Sequence, residues 1–198
     1  MNQKQQILEK AEELYLKIGI KSVSMDDLAR SLGISKKTLY QYVENKNDLV
    51  SQVLQSHIDE EKEVATEILQ NSDNAIDEIL KVAKYVLSQL RKLSPTVVYD
   101  LKKYYRNCWE IIEKHNQFFV YNNIKSNIER GQKEGIYRKD INADIIAKLY
   151  ISPNFLIVDE DLFPLREYDR EKLFNQFILY HIRGIACPKG LEILDELR

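Results

Sequence analysis

The sequence predicts an all-α protein. Only 6 of its 198 residues are glycine and 4 are proline, and this scarcity of the two residues that most disfavour a helix interior favours long helices. Apolar residues recur every three or four positions along most of the chain, which is the spacing of one helical face. No segment alternates apolar and polar residues in the manner of a half-buried strand.

The first fifty residues predict three short helices and the start of a longer one. The first helix ends at Gly19 and the second at Gly33, because glycine readily adopts the left-handed backbone that terminates a helix. Ser24, Ser35 and Asn45 precede the second, third and fourth helices as N-caps, since a short polar side chain satisfies the free N–H groups of a first turn.

The rest of the chain predicts further helices. Asn142 is an N-cap candidate, and Pro95 follows Ser94 as a first helical residue. Residues 159–168 contain four acidic residues and a proline and predict a loop. The helices after the third are predicted at residues 46–69, 76–90, 95–112, 116–134, 142–157 (with a kink or an end at Ser152-Pro153) and 169–186, followed by a Pro188-Lys189-Gly190 turn and a short terminal helix.

The composition is that of an ordinary globular protein. The apolar fraction is 44%, and 29 basic against 31 acidic side chains leave a formal net charge of −2. Two cysteines make no disulfide framework and fit a reducing compartment. The first residues have no apolar segment typical of a signal peptide, and no apolar run is long enough to span a membrane. We therefore expect a cytoplasmic protein with no membrane partner.

Residues 24–46 predict a helix-turn-helix unit with a basic second helix. Gly33 supplies the turn, and residues 35–46 contain Lys36, Lys37 and Lys46 against Glu44 alone. The first fifty residues carry 8 basic and 7 acidic side chains, a net charge of +1, whereas the rest carry 21 and 24, a net charge of −3. Positive charge on this segment suits contact with phosphates. A structural helical hairpin with solvated lysines would show the same pattern.

The order of residues in this segment resembles the DNA-binding module of the TetR/AcrR (tetracycline-repressor-like) family of bacterial transcriptional regulators. The similar positions form one ungapped match over about residues 3–54. They are Gly19-Ile20, then Val23-Ser24-Met25, Leu28-Ala29, Leu32-Gly33-Ile34-Ser35, Thr38-Leu39-Tyr40, Tyr42-Val43, Asn45-Lys46 and Leu49. The chain departs from the family at Val43, where phenylalanine is commoner, and at Lys37, where a small residue or proline is frequent.

The resemblance implies that Lys36, Lys37 and Thr38 begin a recognition helix in the major groove, while Tyr40 and Lys46 contact the phosphate backbone. Gln41 and Tyr42 match positions that contact bases or phosphates, and Ser24 and Arg30 match backbone contacts. The full predicted DNA-binding set is Ser24, Arg30, Ser35, Lys36, Lys37, Thr38, Tyr40, Gln41, Tyr42 and Lys46.

The resemblance also implies a DNA-binding transcriptional regulator rather than an enzyme. Residues 1–46 would form the helix-turn-helix DNA-binding domain, and residues 47–198 a helical ligand-binding and dimerisation domain. The protein would be a homodimeric repressor, released from a pseudo-palindromic operator in double-stranded DNA by a small-molecule inducer that the sequence does not identify. The alternative is a helical ligand-binding or scaffold protein without specific DNA binding.

Two sets of apolar residues in the C-terminal part are candidate sites. The helices at 142–157 and 169–186 are apolar enough to form a four-helix interface with a second copy, or to be core. The candidate interface residues are Ile145, Leu149, Phe174, Phe177, Ile178, Ile182 and Ile185. The candidate pocket residues are Tyr99, Tyr105, Cys108, Trp109, Phe118, Tyr121 and Phe155. The alternative is plain core packing, which more often accounts for aromatic residues at helical spacing.

No motif in the sequence predicts a metal, a cofactor or catalysis. Cys108 and His115 are seven residues apart, and the other histidines, His57 and His181, are isolated; metal ligands usually occur at closer, repeated spacings. The chain has no glycine-rich phosphate loop and no nucleophile elbow. We therefore expect neither cofactor nor metal.

Overall fold

The computed structural model describes residues 2–152 and 156–197, and these form an α-helical protein. Apart from one isolated antiparallel bridge between Tyr137 and Ala186, these residues form no strand, which confirms the predicted fold class. The helices are α1 Gln3–Ile18, α2 Met25–Leu32, α3 Lys36–Leu39, α4 Lys46–Gln70, α5 Ala75–Leu90, α6 Pro95–Tyr104, α7 Arg106–His115, α8 Tyr121–Lys133, α9 Ala143–Ile151, α10 Arg170–Ile185 and α11 Pro188–Glu196.

The chain folds into two compact units, and α4 begins in the first and ends in the second. The first unit contains residues up to 62 together with 92–114. Its core is formed by α1, α2, the buried Leu39 of α3, and the first half of α4. Helix α6 also contacts α1 in this unit. The predicted domain boundary after residue 46 coincides with the start of α4 and remains a functional prediction.

The second unit contains residues 63–91 and those described from 115 onward. Helix α8 packs against α5 and α9, and α5 also contacts α10 and α11. Apolar side chains from all of these helices form one core, with Ile76, Ile128, Ile182 and Leu194 completely buried.

A group of buried and partly buried polar side chains connects α5 with α8 in the second unit. The guanidinium of Arg130 donates from Nη1 to Glu78 at 2.9 Å, from Nε to Glu134 at 2.7 Å and from Nη2 to the Ser72 carbonyl at 2.9 Å. The second carboxylate oxygen of Glu134 accepts the N–H of Ala75 at 2.9 Å. Arg130 therefore links the segment before α5 and its first turns to the end of α8.

The tyrosine of the segment after α8 lies inside the same region. Tyr137 is 1% exposed, and its hydroxyl lies 3.2 Å from both the Ala75 carbonyl and the Asn127 side-chain oxygen. Asn127 in turn donates its amide to the Ala75 carbonyl at 2.8 Å. The ring packs against the backbone of Gly131, where a side chain would have no room. These contacts explain why a polar residue such as Asn127 is buried.

Three predictions about helix boundaries are wrong. The helix predicted over 95–112 is interrupted at Tyr105, whose φ of −129° and ψ of 56° are not helical. The chain is then helical from Arg106 to Lys133, because α7 continues through a π-helical segment, Asn116–Val120, into α8. Pro188 is not in a turn but begins α11, where its missing N–H costs no hydrogen bond.

Four of the predicted interface residues belong to the core of this single chain. Phe174, Ile178, Ile182 and Ile185 are at most 5% exposed, so the alternative interpretation as core applies to them. Their periodicity marks a buried face of α10, and periodicity alone does not distinguish a core from a subunit interface. Of the remaining three, Ile145 and Leu149 are 54% and 63% exposed. Phe177 is half-buried.

Candidate nucleic-acid interface

Helix α2 begins with the predicted capping box. The Ser24 hydroxyl accepts the N–H of Asp27 at 3.1 Å, and the Asp27 carboxylate accepts the N–H of Ser24 at 3.1 Å and its hydroxyl at 2.6 Å. These bonds from Ser24 lower the pKa of Asp27. Because the two residues satisfy each other's donors, the start of α2 is determined locally.

The turn between α2 and α3 requires the glycine that the sequence predicts. Gly33 has a φ of +65° and a ψ of 26°, in the left-handed region, and its N–H donates to the Arg30 carbonyl at 3.2 Å. A Cβ at Gly33 would have no neighbour within 4 Å, so the backbone conformation rather than space makes glycine suitable. Ala29 is buried on the helix that precedes this turn.

The recognition-helix candidate α3 is short and has its own cap. The Ser35 hydroxyl accepts the N–H of Thr38 at 3.0 Å and lies 2.8 Å from the Thr38 hydroxyl. Leu39 is completely buried and anchors the helix to the first unit. Helix α3 ends at Leu39, and residues 40–42 form a turn, so the helix is four residues long.

Several predicted DNA-binding residues have exposed side chains. The side chains of Lys37 and Gln41 are exposed and make no hydrogen bond or ion pair with any residue that the structure describes. Tyr40 is 43% exposed. The Arg30 guanidinium is 3.9 Å from the Asp27 carboxylate, and 81% of its side chain is exposed. These side chains are accessible to a partner.

Two other predicted residues are engaged with neighbours. Lys36 donates to the Asp26 carboxylate at 2.9 Å, and this bond raises the pKa of Lys36. The Tyr42 hydroxyl donates to the Gln3 side chain in α1 at 2.8 Å. Both pairs are exposed, and water screens an exposed ion pair so that it contributes little to stability. A phosphate could therefore replace Asp26 as the partner of Lys36 at small cost.

The Lys46 side chain is only partly exposed, although the resemblance implies that it contacts the phosphate backbone. Its ammonium donates to the carbonyl of Lys21 at 3.2 Å, in the turn between α1 and α2, and its side chain is half-buried. Burial lowers the pKa of Lys46, whereas the nearby Asp100 and Asp27 carboxylates oppose that shift. The structure thus brings the start of α4 against the turn that precedes α2.

The predicted pocket residues do not all lie in the same unit. Tyr99, Tyr105, Cys108 and Trp109 belong to the first unit and Phe118 and Tyr121 to the second, while Phe155 lies outside the described residues. Tyr99 and Phe118 are more than half exposed.

Three of these side chains have polar neighbours of their own. The Cys108 thiol is 3.6 Å from the Asn47 side-chain oxygen, and burial raises its pKa to about 11. The Trp109 indole donates to Glu113 at 2.7 Å, and the Tyr121 hydroxyl donates to Asp144. A shared pocket remains a prediction.

The burial of several polar side chains, three of them ionisable, was not predicted from the sequence. Asp100 is 6% exposed in α6, Glu78 is 8% exposed in α5, and His181 is 9% exposed in α10. Each lies in an amphipathic helix and occupies a position on its otherwise apolar face. That position in the sequence pattern could have indicated that the side chain is buried. In the part of the chain that the structure describes, no group of three histidine, cysteine or acidic side chains is placed to hold a metal, and no helix could cross a membrane.

Comparison with known proteins places this site in a family. Residues 7–53 match the family model for bacterial regulatory proteins, tetR family. The HTH-type transcriptional regulator YvaF of Bacillus subtilis is 28% identical over 173 residues, covering 85% of this chain and 88% of its own length. YhgD of the same organism, also an HTH-type regulator, is 27% identical over 198 residues, covering 94% and 98%.

The whole fold is also that of a known regulator. The crystal structure of a TetR-family regulator from Agrobacterium tumefaciens superposes with a TM-score of 0.75 at 15% identity, covering 93% of this chain and 97% of that chain. The helix-turn-helix match lies on α1 to α4, and the structural match extends over both units. The capped helix-turn-helix and its matching family model identify residues 7–53 as a DNA-binding domain of the TetR family of bacterial transcriptional regulators, a family of regulators that are not enzymes, and the chain shares the fold of such a regulator.

Proposed function

We propose that this regulator is a repressor that binds a pseudo-palindromic operator as a homodimer and leaves it when a small molecule binds. Residues 1–46 would form the DNA-binding domain, and residues 47–198 would bind the ligand and the second subunit. The proposal rests on the exposure of Lys37 and Gln41 in a capped helix-turn-helix. Neither side chain has a partner among the described residues. Lysine and glutamine are donors that contact base edges and phosphates.

The proposed DNA contacts divide into two groups. Lys36, Lys37 and Gln41 would contact base edges in the major groove, with Thr38 at the start of the same helix. The others would contact the sugar-phosphate backbone and so position α3 without reading sequence. These proposed backbone contacts are Ser24, Arg30, Ser35, Tyr40, Tyr42 and Lys46.

We expect Lys46→Ala and Lys37→Ala to change DNA binding in different ways. Lys46→Ala removes a charge that would neutralise a phosphate, so it should weaken binding to all sequences alike and reduce the slope of log K against log salt by about one. Lys37→Ala should relax the preference at particular base pairs, each worth about 1–3 kcal/mol. Selection from random duplexes, followed by salt titrations, measures both effects. An altered operator preference in Lys46→Ala with an unchanged slope would contradict its assignment.

The homodimer would form through α9 and α10 of each subunit. Ile145 and Leu149 are exposed on α9, and Tyr180 is 82% exposed on α10, which also presents the half-buried Phe177. Exposed apolar side chains of this kind on neighbouring helices favour association. A two-fold dimer would place its recognition helices on half-sites about 34–36 Å apart or a multiple of that distance.

Sedimentation tests the dimer directly. We expect the full chain to sediment as a dimer at micromolar concentration, and Leu149→Glu to sediment as a monomer because the interface would bury an unpaired charge. Lys189→Glu, an exposed change on α11, serves as the control and should remain dimeric. A monomeric unmodified protein would refute the proposed interface.

A buried histidine supports ligand binding in the second unit. Burial lowers the pKa of His181 to about 4, so the side chain is neutral at physiological pH. Its ring lies 4.5 Å from that of Tyr150, which is 5.1 Å from Phe177, and its Nε2 has no hydrogen-bond partner among the described residues. Buried polar atoms are normally hydrogen-bonded. A small molecule with an apolar body and one polar group would satisfy this site.

A further inference from the structure

Two lysines and two tyrosines form an exposed cluster outside the helix-turn-helix. We call Lys21, Tyr99, Lys103 and Tyr104 the basic-aromatic cluster. The Lys21 ammonium donates to the Tyr104 hydroxyl at 3.1 Å and lies 4.3 Å from the centre of its ring. The Lys103 ammonium donates to the Tyr99 hydroxyl and lies 4.9 and 5.5 Å from the Tyr99 and Tyr104 rings. The two rings meet edge to face at 6.3 Å.

The two ammonium groups of the cluster have no carboxylate partner among the described residues. All four side chains are exposed, and neither lysine forms an ion pair with any residue that the structure describes. Other lysines of the first unit do: Lys10 is 2.7 Å from Glu13, and Lys62 is 3.0 Å from Asp59. The cluster therefore presents two positive charges that no described carboxylate neutralises, and an aromatic ring holds each ammonium without removing its charge.

The cluster is attached to the start of α4 through the backbone of Lys21. The buried Asp100 carboxylate in α6 accepts the N–H of Lys21 at 2.7 Å. The carbonyl of the same residue accepts a hydrogen bond from the Lys46 ammonium at 3.2 Å. Asp100, the one acidic residue of α6, is thus turned toward the backbone and away from the exposed lysines. These bonds make the cluster continuous with Lys46, the proposed phosphate contact at the start of α4.

We propose that the basic-aromatic cluster binds the DNA phosphate backbone beside the segment read by α3, so that α6 extends the DNA contact beyond the helix-turn-helix. Unpaired ammonium groups and tyrosine hydroxyls are the side-chain groups that contact phosphate oxygens. Each lysine that neutralises a phosphate releases counterions and adds to affinity without adding sequence preference. The proposal rests on the proposed operator binding and adds a second contact surface to it.

Salt titration of the full-length protein tests the cluster. We expect the double variant Lys21→Gln/Lys103→Gln to reduce the slope of log K against log salt by about 1.8, roughly 0.9 for each phosphate that is no longer neutralised. When the salt concentration falls from 1 M to 0.15 M, two neutralised phosphates increase the affinity for DNA by about 30-fold, and the double variant should lose this increase. The selected sequence should stay the same, because phosphate contacts do not read bases. The slope should fall equally on a random duplex, so this measurement does not depend on finding an operator.

The matched control is Lys10→Gln/Lys62→Gln, which removes the same charge from lysines of the first unit that are already paired. Its slope should equal that of the unmodified protein.

An unchanged slope in the cluster variant would overturn the inference while leaving the proposed operator binding intact. If no sequence is enriched from random duplexes but the cluster variant still lowers the slope, the proposed operator is wrong and the surface is supported. A change in dimerisation by the cluster variant, with an unchanged slope, would assign the surface to a protein contact instead.

Discussion

Replacing Arg130 with alanine should lower the free energy of unfolding by about 3 kcal/mol, because the variant leaves a buried carboxylate without its partner. The side chains of Arg130 and Glu78 are 27% and 11% exposed, so water screens the pair only partly. The variant also removes the donor to the Ser72 carbonyl and one of the bonds to Glu134. Arg130→Lys should recover part of the stability, since lysine keeps the charge but lacks the planar fork that donates in three directions.

The control for this effect is Arg138→Ala. Arg138 is bound to Asp140 at 2.7 Å in an exposed pair, with side-chain exposures of 46% and 68%. Water screens an exposed pair of this kind, so Arg138→Ala should change the free energy of unfolding much less than Arg130→Ala. Denaturant unfolding at one fixed protein concentration measures both variants, because association would otherwise alter apparent stability. Equal losses of stability in Arg130→Ala and Arg138→Ala would show that burial of the network contributes nothing.

Gly131→Ala should destabilise the second unit by about 3 kcal/mol or more, at the upper end of what overpacking a core costs. A Cβ at this position would lie 2.0 Å from Cδ2 of Tyr137. The ring cannot easily move away, because it is 1% exposed and its hydroxyl is hydrogen-bonded to Ala75 and Asn127. The steric cost should therefore exceed the gain of about 1 kcal/mol that alanine brings to a helix interior.

Gly184→Ala is the matched control for the steric effect. Gly184 lies near the end of α10, and a Cβ there would meet no atom within 4 Å. We expect no loss of stability, or a gain of up to about 1 kcal/mol from helix propensity. Thermal and denaturant unfolding of the two variants separates sterics from propensity. A stable Gly131→Ala protein would mean that Tyr137 does not pack against this glycine.

Local features of the fold could be predicted well. The caps Ser24, Ser35 and Asn142 accept N–H groups from residues within three positions of themselves, so neighbouring residues suffice to identify them. The glycine stops at positions 19 and 33 have positive φ values of 86° and 65°. These interactions depend on short stretches of chain, and that is why the helix-turn-helix segment was evident from its residues.

The boundaries of α6, α7 and α8 could not be predicted in the same way. The break at Tyr105 and the π-helical segment after His115 occur within a stretch where helix-favouring residues continue without proline or glycine. Periodicity marks an apolar face there, but not where the helix is interrupted. The same limit applied to α10, where periodicity left a subunit interface and a core as alternatives for the face that carries Ile178 and Ile182, and both residues lie in the core.

By itself, the sequence determined the all-α class, the helix-turn-helix segment with its caps, and the family that this segment resembles. Each of these depends on residues close together in the chain, where hydrogen bonding and periodicity act over a few positions. Only the tertiary structure decided which polar residues are buried and what they bind. Arg130 reaches Glu78 over 52 positions, and Asp100 reaches the Lys21 backbone over 79. Such pairs have no local pattern, because packing of distant helices brings their atoms together.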